Sequence, residues 1–247
     1  MILQNALVYT PRHTFERGTI VIRDGRIVPF AAPEEGEEVL DAEGLYALPG
    51  LVDIHFHGAM GKDFCDGTEE AIQTLADFEA SKGVLAICPA TMTYPEEILN
   101  KVMDAAAAHK NGKGADLVGI NMEGPFISPV KKGAQDDRNI LPCDTALCER
   151  FLEASEDLVK FVGIAPEESE NSLEFIRHMK EKVDISLAHT NADYDTAMAA
   201  FSAGANHAVH LYNGMPEILH RAPGVVGAVF CSKHVMTEII CDCIHIH

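Results

Sequence analysis

The sequence has no run of about 18 apolar residues, which is close to the length that a helix needs to cross a membrane. The first residues, Met1 to Asn5, also lack the basic start and the long apolar stretch of a secretory signal peptide. These two absences predict a protein that has no membrane span and works in the cytoplasm.

Cysteines at Cys-x-x-Cys spacing are absent too. The chain has seven cysteines, an odd number, and they are scattered along its length. This pattern argues against a disulfide framework and is typical of a reducing compartment.

Basic residues are scarce, with 19 lysines and arginines against 38 aspartates and glutamates, for a formal net charge of −19. A nucleic acid is a polyanion and needs a basic face, so the composition argues against nucleic acid as a partner. A small anionic substrate stays open, because a few local cationic side chains and backbone N–H groups can bind it.

The chain is long enough for one large domain or for a domain with a small companion, and it is 47% hydrophobic, so it can bury a substantial core. Residues 1–48 have the pattern of short strands with tight turns. Residues 20–28 predict a β-hairpin with Asp24-Gly25 at the turn, and the acidic stretch 33–38 predicts a solvated loop. We therefore predict a small N-terminal β-sandwich domain over residues 1–48.

From residue 49 onward, apolar strands alternate with helical patterns, which indicates a parallel sheet. Seven such strands with short connections favour a TIM-type (β/α)8 barrel over an open sheet. The predicted strands are residues 51–57, 84–90, 117–123, 159–165, 185–189, 208–212 and 237–242. The predicted helices are residues 69–82, 95–109, 144–155, 169–182 and 193–203.

The pattern contains about seven barrel strands rather than eight. A barrel without its eighth strand leaves the edges of strands one and seven unpaired, which invites aggregation or pairing with a partner. We therefore predict an incomplete α/β barrel over residues 49–247 that is truncated before strand eight.

Metal-binding residue types gather at the predicted strand ends. His55 and His57 stand at alternate positions after an apolar strand, so both imidazoles can face one ion. Glu123 ends strand three, His189 ends strand five, and His210 lies on strand six. Because the carboxyl ends of barrel strands meet in one site, these five residues predict a centre for a divalent ion such as zinc.

Longer motifs surround these residues. The first strand carries Pro49-Gly50-Leu51-Val52-Asp53-Ile54-His55-Phe56-His57-Gly58. Further segments are Glu123-Gly124-Pro125-Phe126, Lys132-Gly133-Ala134-Gln135, His210-Leu211-Tyr212-Asn213-Gly214-Met215 and Arg221-Ala222-Pro223-Gly224. The first motif resembles that of the amidohydrolase superfamily, and the ordered set resembles its N-acetylglucosamine-6-phosphate deacetylase family over essentially the whole chain.

The resemblance implies how the metal site is divided. Glu123, His189 and His210 match the main metal ligands of the family. His55 and His57 match a pair that supports a second ion in some members, with Glu123 as a bridge. The resemblance thus implies one or two divalent ions per subunit, zinc or iron, and a homodimer as in many members.

Five positions match substrate contacts of the family. Gln135 occupies a substrate-contact position, and Asn213 and the backbone of Gly214 match contacts to the sugar phosphate. Arg221 and His245 match phosphate-binding side chains, and a guanidinium offers a planar fork of donors to phosphate. The resemblance implies hydrolysis of N-acetylglucosamine 6-phosphate, a phosphorylated amino sugar, to glucosamine 6-phosphate and acetate in amino-sugar catabolism.

The sequence also departs from the family pattern. The family's general acid/base is an aspartate at the end of strand eight, which we expect beyond residue 247, so no catalytic residue is assigned and activity of this chain by itself stays open. Gly214 stands where alanine is common, and Gln135 replaces a histidine of some members. Cys243 stands at a usual glycine, where a side chain would crowd the site if φ is positive.

Two other functions stay open. The chain could belong to another metal-dependent amidohydrolase, such as a cyclic amidase or a deaminase, that uses the same ligands. It could also be a non-catalytic, metal-binding fragment or oligomer subunit, which the predicted lack of an eighth strand supports.

Overall fold

A computed structural model describes all residues from Met1 to His247. The chain divides into two compact units, Met1–Leu51 and Val52–His247.

The first unit contains one five-stranded sheet. Its strands are β1 (Ile2–Tyr9), β2 (Phe15–Arg23), β3 (Arg26–Val28), β4 (Val39–Asp41) and β5 (Tyr46–Ala47). The order is β3-β2-β1-β4, with β5 pairing β1 farther along that strand. Asp24 and Gly25, at the turn between β2 and β3, have φ of 51° and 70°. Two positive φ values are those of a type I′ turn, and the predicted hairpin is confirmed.

The second unit carries the repeating strand–helix pattern. The strands from this point on are β6 (Leu51–Asp53), β7 (Gly58–Ala59), β8 (Lys62–Asp63), β9 (Val84–Ile87), β10 (Asp116–Leu117), β11 (Ile120–Phe126), β12 (Val159–Ile164), β13 (Asp184–Leu187), β14 (His207–Ala208) and β15 (Met236–Thr237). The α-helices are α1 (Glu69–Ser81), α2 (Glu96–Ala108), α3 (Thr145–Ala154), α4 (Ser172–Met179), α5 (Tyr194–Ala203) and α6 (Gly224–Cys231).

The large strands follow one another in space as they do in sequence. One sheet has the order β6-β9-β10 and the next has the order β11-β12-β13-β14-β15, whose neighbours pair in parallel. A parallel bridge between Ala90 and Asn121 links the two sheets. With β10 and β11 as two halves of strand three, these are the seven strands of a TIM-type barrel, which confirms the predicted fold class. The end strands β6 and β15 do not pair with each other.

Three of the helices begin directly after a residue whose side chain caps the first helical turn. Thr68, Asp144 and Asp193 each accept a hydrogen bond from a backbone N–H in the first turn of α1, α3 and α5. Helix α6 was not predicted. Its sequence, Gly-Val-Val-Gly-Ala-Val-Phe-Cys, has no polar residues and therefore shows no amphipathic period.

Most predicted strands of the barrel are longer than the observed ones. The first was predicted over residues 51–57 and the last over 237–242, whereas β6 ends at Asp53 and β15 ends at Thr237. Pairing with strand two nevertheless continues past β6, because the N–H of Ala90 donates to the carbonyl of Phe56. None of the helices is both long and apolar enough to cross a membrane.

The core of the second unit packs helices against the barrel strands. Phe175 of α4 is fully buried and meets Phe126 of β11 edge-on, with ring centroids 5.5 Å apart. This contact fixes α4 against the strand that carries Glu123.

We expect Phe175→Ala to lower the free energy of unfolding by about 3–5 kcal/mol, because it removes a buried ring and leaves a cavity. Urea unfolding monitored by circular dichroism measures the loss. The control is Glu174→Ala at the exposed neighbouring position of the same helix, which should change stability by less than about 0.5 kcal/mol. Equal effects of the two changes would contradict this account of the core.

Candidate metal centre

A buried carboxylate lies at the middle of the site. Glu123 is on β11, whose residues are all buried, and it is 3% exposed. An ionised carboxylate in such a place needs compensating positive charge or several donors. Its surroundings therefore decide what the site can hold.

Four imidazoles converge on the two oxygens of Glu123. Oε1 lies 2.9 Å from His189 Nε2, 3.0 Å from His210 Nε2 and 3.4 Å from His55 Nε2. Oε2 lies 3.2 Å from His57 Nε2. The structure thus brings together all five residues that the sequence predicts as metal ligands.

The second nitrogen of three of these rings is occupied. His189 Nδ1 lies 2.8 Å from the carbonyl oxygen of Lys131, and His210 Nδ1 lies 2.9 Å from that of Asn213. His55 Nδ1 lies 2.5 Å from a carboxylate oxygen of Glu238. Because these partners are acceptors, each of these Nδ1 atoms carries a proton, and Nε2 is the nitrogen of each ring that can bind a metal ion.

Two of the histidines adopt backbone conformations that are uncommon for any residue with a side chain. The φ angles of His189 and His210 are 42° and 28°, at the points where their strands have just ended. Such residues cost about 1–3 kcal/mol each and cluster at functional sites. The observed strands five and six therefore end before these two histidines, although both side chains still point into the site.

Burial and the mutual contacts shift the pKa values of the cluster. Burial opposes ionisation of Glu123, but the contacts with the four histidines outweigh it and hold its pKa well below the usual range. Burial also opposes protonation of His55, yet contacts with Glu123 and Glu238 raise its pKa to about 10. For His189, the contact with Glu123 likewise overcomes burial and raises the pKa. In the metal-free protein, protons supply the positive charge that the carboxylate needs.

The donor set fits a divalent metal ion. The Nε2 lone pairs and carboxylate oxygens form two overlapping groups, His55-His57-Glu123 and Glu123-His189-His210, and the ligand atoms within each group lie within 4.8 Å of one another. Lone pairs that face one another repel unless a cation lies between them. Imidazole and carboxylate ligands suit zinc, iron and similar ions.

A cavity of about 700 Å³ opens on this cluster. Its volume is in the range of small-molecule sites. Residues that line it besides the cluster include Asp53, Met92, Ala134, Gln135, Glu238 and Ile240.

Gln135 is the predicted substrate contact that lies nearest to the metal ligands. It is buried, its Nε2 donates to Glu123 Oε2 at 2.9 Å, and its Oε1 accepts from the N–H of Thr93 at 2.5 Å. The two bonds fix the orientation of the amide. Gln135 thus supplies a neutral donor to the carboxylate, in addition to facing the cavity.

Asn213 and Gly214 support the histidines from behind. The Asn213 carbonyl accepts from His210, and the Gly214 carbonyl accepts from the N–H of Thr190. Gly214 has φ of 62°, and a Cβ there would lie 3.2 Å from His189 Nδ1. A larger residue would therefore press on a metal ligand. Neither residue lines the cavity at the cluster.

Arg221 and His245 lie outside that cavity. Arg221 lines a second cavity of about 720 Å³ together with Lys131, Asn191 and Glu217. His245 is exposed in the irregular segment after β15, and its Nδ1 lies 2.6 Å from a carboxylate oxygen of Asp242. The structure therefore does not bring these two predicted phosphate contacts to the metal cluster.

The segment that carries His245 also contains Cys243. Its φ is 60°, so a cysteine occupies the left-handed region that favours glycine. The Cys243 side chain is exposed. The φ is positive, as the expectation of crowding requires, but the Cys243 side chain does not line the cavity at the cluster.

Cysteines near the strand ends show no sign of reactivity. Burial raises the pKa of both Cys65 and Cys88 to about 12, so their thiols stay protonated.

Two polar residues beside the cluster, Glu238 and His207, are not among the site residues predicted from the sequence. Burial lowers the pKa of His207, so its imidazole is neutral at pH 7. No sequence signal marked Glu238, because the predicted strand seven, residues 237–242, places it near the start of the strand, whereas β15 ends at Thr237.

Comparison with known proteins adds an independent finding. Residues 46–247 match the model of the amidohydrolase family. The chain is 34% identical to an N-acetylglucosamine-6-phosphate deacetylase of Bacillus subtilis over 257 aligned positions, which cover 100% of this chain and 65% of that protein. It is 33% identical to an N-acetylgalactosamine-6-phosphate deacetylase of Escherichia coli O157:H7, over 89% of this chain and 57% of that protein.

A solved structure shares the fold at full coverage of this chain. It is a mutant N-acetyl-D-glucosamine-6-phosphate deacetylase from Mycobacterium smegmatis in complex with N-acetyl-D-glucosamine-6-phosphate, with a TM-score of 0.86 and 29% identity. The match covers 100% of this chain and 64% of that one, so the chain spans about two thirds of the length of these relatives. The matched family model covers most of the sequence and all five residues of the cluster, and the chain belongs to the amidohydrolase family.

Proposed function

We propose that this chain supplies the metal centre and part of the substrate site of a deacetylase. The reaction is hydrolysis of N-acetylglucosamine 6-phosphate to glucosamine 6-phosphate and acetate, in amino-sugar catabolism. The observation that carries the proposal is the convergence of four imidazoles on Glu123, in a chain 34% identical to a relative named for this activity.

Glu123, His189 and His210 would hold one divalent ion, zinc or iron. His55 and His57 would hold a second ion, with Glu123 shared between the two. A divalent ion here supplies electrophilic catalysis, because it polarises an amide carbonyl and lowers the pKa of a water molecule. The contribution of the chain is to fix the ligands, through the acceptors on three Nδ1 atoms and the amide of Gln135 on Glu123.

Substrate recognition would fall to residues that the fold leaves available. The guanidinium of Arg221 forms no ion pair or hydrogen bond within the chain and shares its cavity with Lys131, so both cations can meet a phosphate. Gln135 would contact the sugar at the metal side, and the family resemblance implies that Asn213 and the backbone of Gly214 contact the sugar phosphate. His245 would join them if the segment after β15 folds over the site.

Several parts of the proposal come from the family resemblance. It implies an aspartate as the general acid/base, and no residue of this chain is assigned to that role. It also suggests a homodimer. A cytoplasmic location stays a prediction from the scattered cysteines and the N-terminal sequence.

The first prediction is that the chain binds zinc and that Glu123→Gln abolishes this binding. Removing a ligand should weaken zinc binding by more than about 100-fold, since the loss of a residue that only supports a ligand already lowers metal affinity by about 10- to 100-fold. Competition with a chromogenic chelator measures the affinity. Glu149→Gln, which alters a surface carboxylate 2.9 Å from His178, is the matched control. Tight binding by the Glu123 variant would remove this carboxylate from the ligand set.

The second prediction concerns protons. Because the pKa of His55 is raised to about 10, its ring is protonated at pH 7 in the metal-free chain, whereas a metal ligand must be neutral. Metal binding should therefore release protons, and the affinity should fall as the pH is lowered. Calorimetry of zinc binding in two buffers with different ionisation enthalpies detects the release. Identical heats in both buffers would contradict the protonated cluster.

The third prediction tests the phosphate contact in an active enzyme that contains these residues. Arg221→Ala should raise KM for N-acetylglucosamine 6-phosphate by about 10- to 100-fold, because it removes a charge-assisted hydrogen bond. The unphosphorylated sugar should show no such change. Arg150→Ala, which breaks a surface pair with Glu96, should leave KM unchanged. An unchanged KM in the Arg221 variant would withdraw the phosphate assignment.

The same enzyme separates the other functions. Turnover of cyclic amides or of purines in place of acetylated amino sugars would favour a cyclic amidase or a deaminase. Metal uptake with no turnover of any of these would favour a non-catalytic metal-binding protein.

A further inference from the structure

Glu238 is a carboxylate beside the cluster that belongs to neither group of candidate ligands. Its side chain is 11% exposed and lines the cavity. Oε2 lies 2.5 Å from His55 Nδ1, a contact between positions 183 residues apart in the chain. Oε1 is buried, and the nearest ion-pair contact it makes is with His207 Nε2 at 3.3 Å, without a hydrogen bond.

The backbone fixes where this carboxylate stands. The N–H of Glu238 donates to the carbonyl of Ala208 at 3.1 Å, and its own carbonyl accepts from the N–H of Leu211 at 2.8 Å. Leu211 directly follows the metal-ligand candidate His210. Glu238 is therefore held against the same segment that carries another member of the cluster.

The contact with Glu238 determines which ring nitrogen of His55 binds a metal ion. A carboxylate only accepts, so Nδ1 carries a proton, and Nε2, 3.4 Å from Glu123 Oε1, is the nitrogen left to bind a metal ion. His189 and His210 achieve the same state with neutral carbonyl oxygens. Only His55 has an anionic partner at Nδ1, and this partner raises the basicity of the ring as a ligand.

His207 continues the chain of contacts. It is buried, and its Nδ1 lies 2.8 Å from the hydroxyl of Ser186, which is fully buried. The Ser186 hydroxyl can donate to Nδ1, which leaves the N–H of the neutral ring on Nε2, the atom that lies 3.3 Å from Glu238 Oε1. The ring also stacks near Phe161, with centroids 5.1 Å apart, so it has little freedom to turn.

We propose that Glu238 is a positioning residue that orients His55 for metal binding, and that His207 and Ser186 hold Glu238 in turn. The inference rests on the metal centre proposed above. Metal binding by His55, His57 and Glu123 should depend on Glu238, whereas metal binding by Glu123, His189 and His210 should not.

The test is titration of the metal-free chain with zinc, with the number of ions and their affinities read by chelator competition. Glu238→Gln keeps the shape and removes the charge. We expect the wild type to bind two ions and the variant to bind one of them about 10- to 100-fold more weakly, with the other unchanged. Ser186→Ala should weaken the same ion by a smaller factor.

The matched control is Glu69→Gln. Glu69 also contacts a buried imidazole, that of His109 at 3.0 Å, but this pair lies outside the cluster. The control should bind both ions as the wild type does. Thermal unfolding in the presence of chelator shows whether each variant is folded, and Glu238→Asp, which keeps the charge on a shorter side chain, replaces Glu238→Gln if that variant is not.

A second readout is independent of affinity. In the zinc-loaded wild type, histidine nitrogen NMR should show one ring with a proton on Nδ1 in a strong hydrogen bond, and this signal should change in Glu238→Gln but not in Glu69→Gln. Unchanged ion number, affinities and signal in the Glu238 variants would overturn the inference and leave the metal centre standing. No zinc binding by the wild type would instead overturn the proposed function itself.

Discussion

The buried carboxylate of Glu123 is the constraint on which the site depends. A buried anion must be matched by positive charge, and in this protein the groups that face it are imidazoles that can hold either protons or a shared metal ion. The four histidines come from three separated stretches of chain. The barrel fold brings those three stretches together at one carboxylate.

Three of the four histidines are also held by a contact at their second ring nitrogen. A carbonyl of Lys131, a carbonyl of Asn213 and the carboxylate of Glu238 select one nitrogen in three rings. The positive φ angles of His189 and His210 also help to fix the orientation of these two rings. A site held in this way has little to reorganise when a ligand arrives, which is how precise catalytic and binding geometries are maintained.

Much of this centre could be predicted from the sequence, for a physical reason. Ligands at strand ends are a direct consequence of barrel geometry, so Glu123, His189 and His210 could be recognised once the strand–helix period was clear. The predicted helices over residues 144–155 and 193–203 begin at Asp144 and Asp193, the residues that cap the observed helices. The fold class needed no more than the alternation itself.

Other features depend on tertiary contacts that no local pattern encodes. Glu238 becomes informative only when strand seven lies near His55, and α6 has no polar face to mark it. The backbone turns that end strands five and six just before His189 and His210 are imposed by the surrounding loops, so strand lengths were overestimated. The roles of Arg221 and His245 rest on the resemblance, since the structure places them away from the cluster.

The wide spacing of the cluster along the sequence has a consequence for how the protein is made. His55 and His210 emerge far apart during synthesis, and Glu238 follows His55 by 183 positions. Contacts of such separation close only after large loops have been ordered, so they form late in folding. The complete set of candidate ligands is therefore available to a metal ion only after these distant stretches have packed together. A nascent chain that has not yet reached strand six has only part of the ligand set to offer a metal ion.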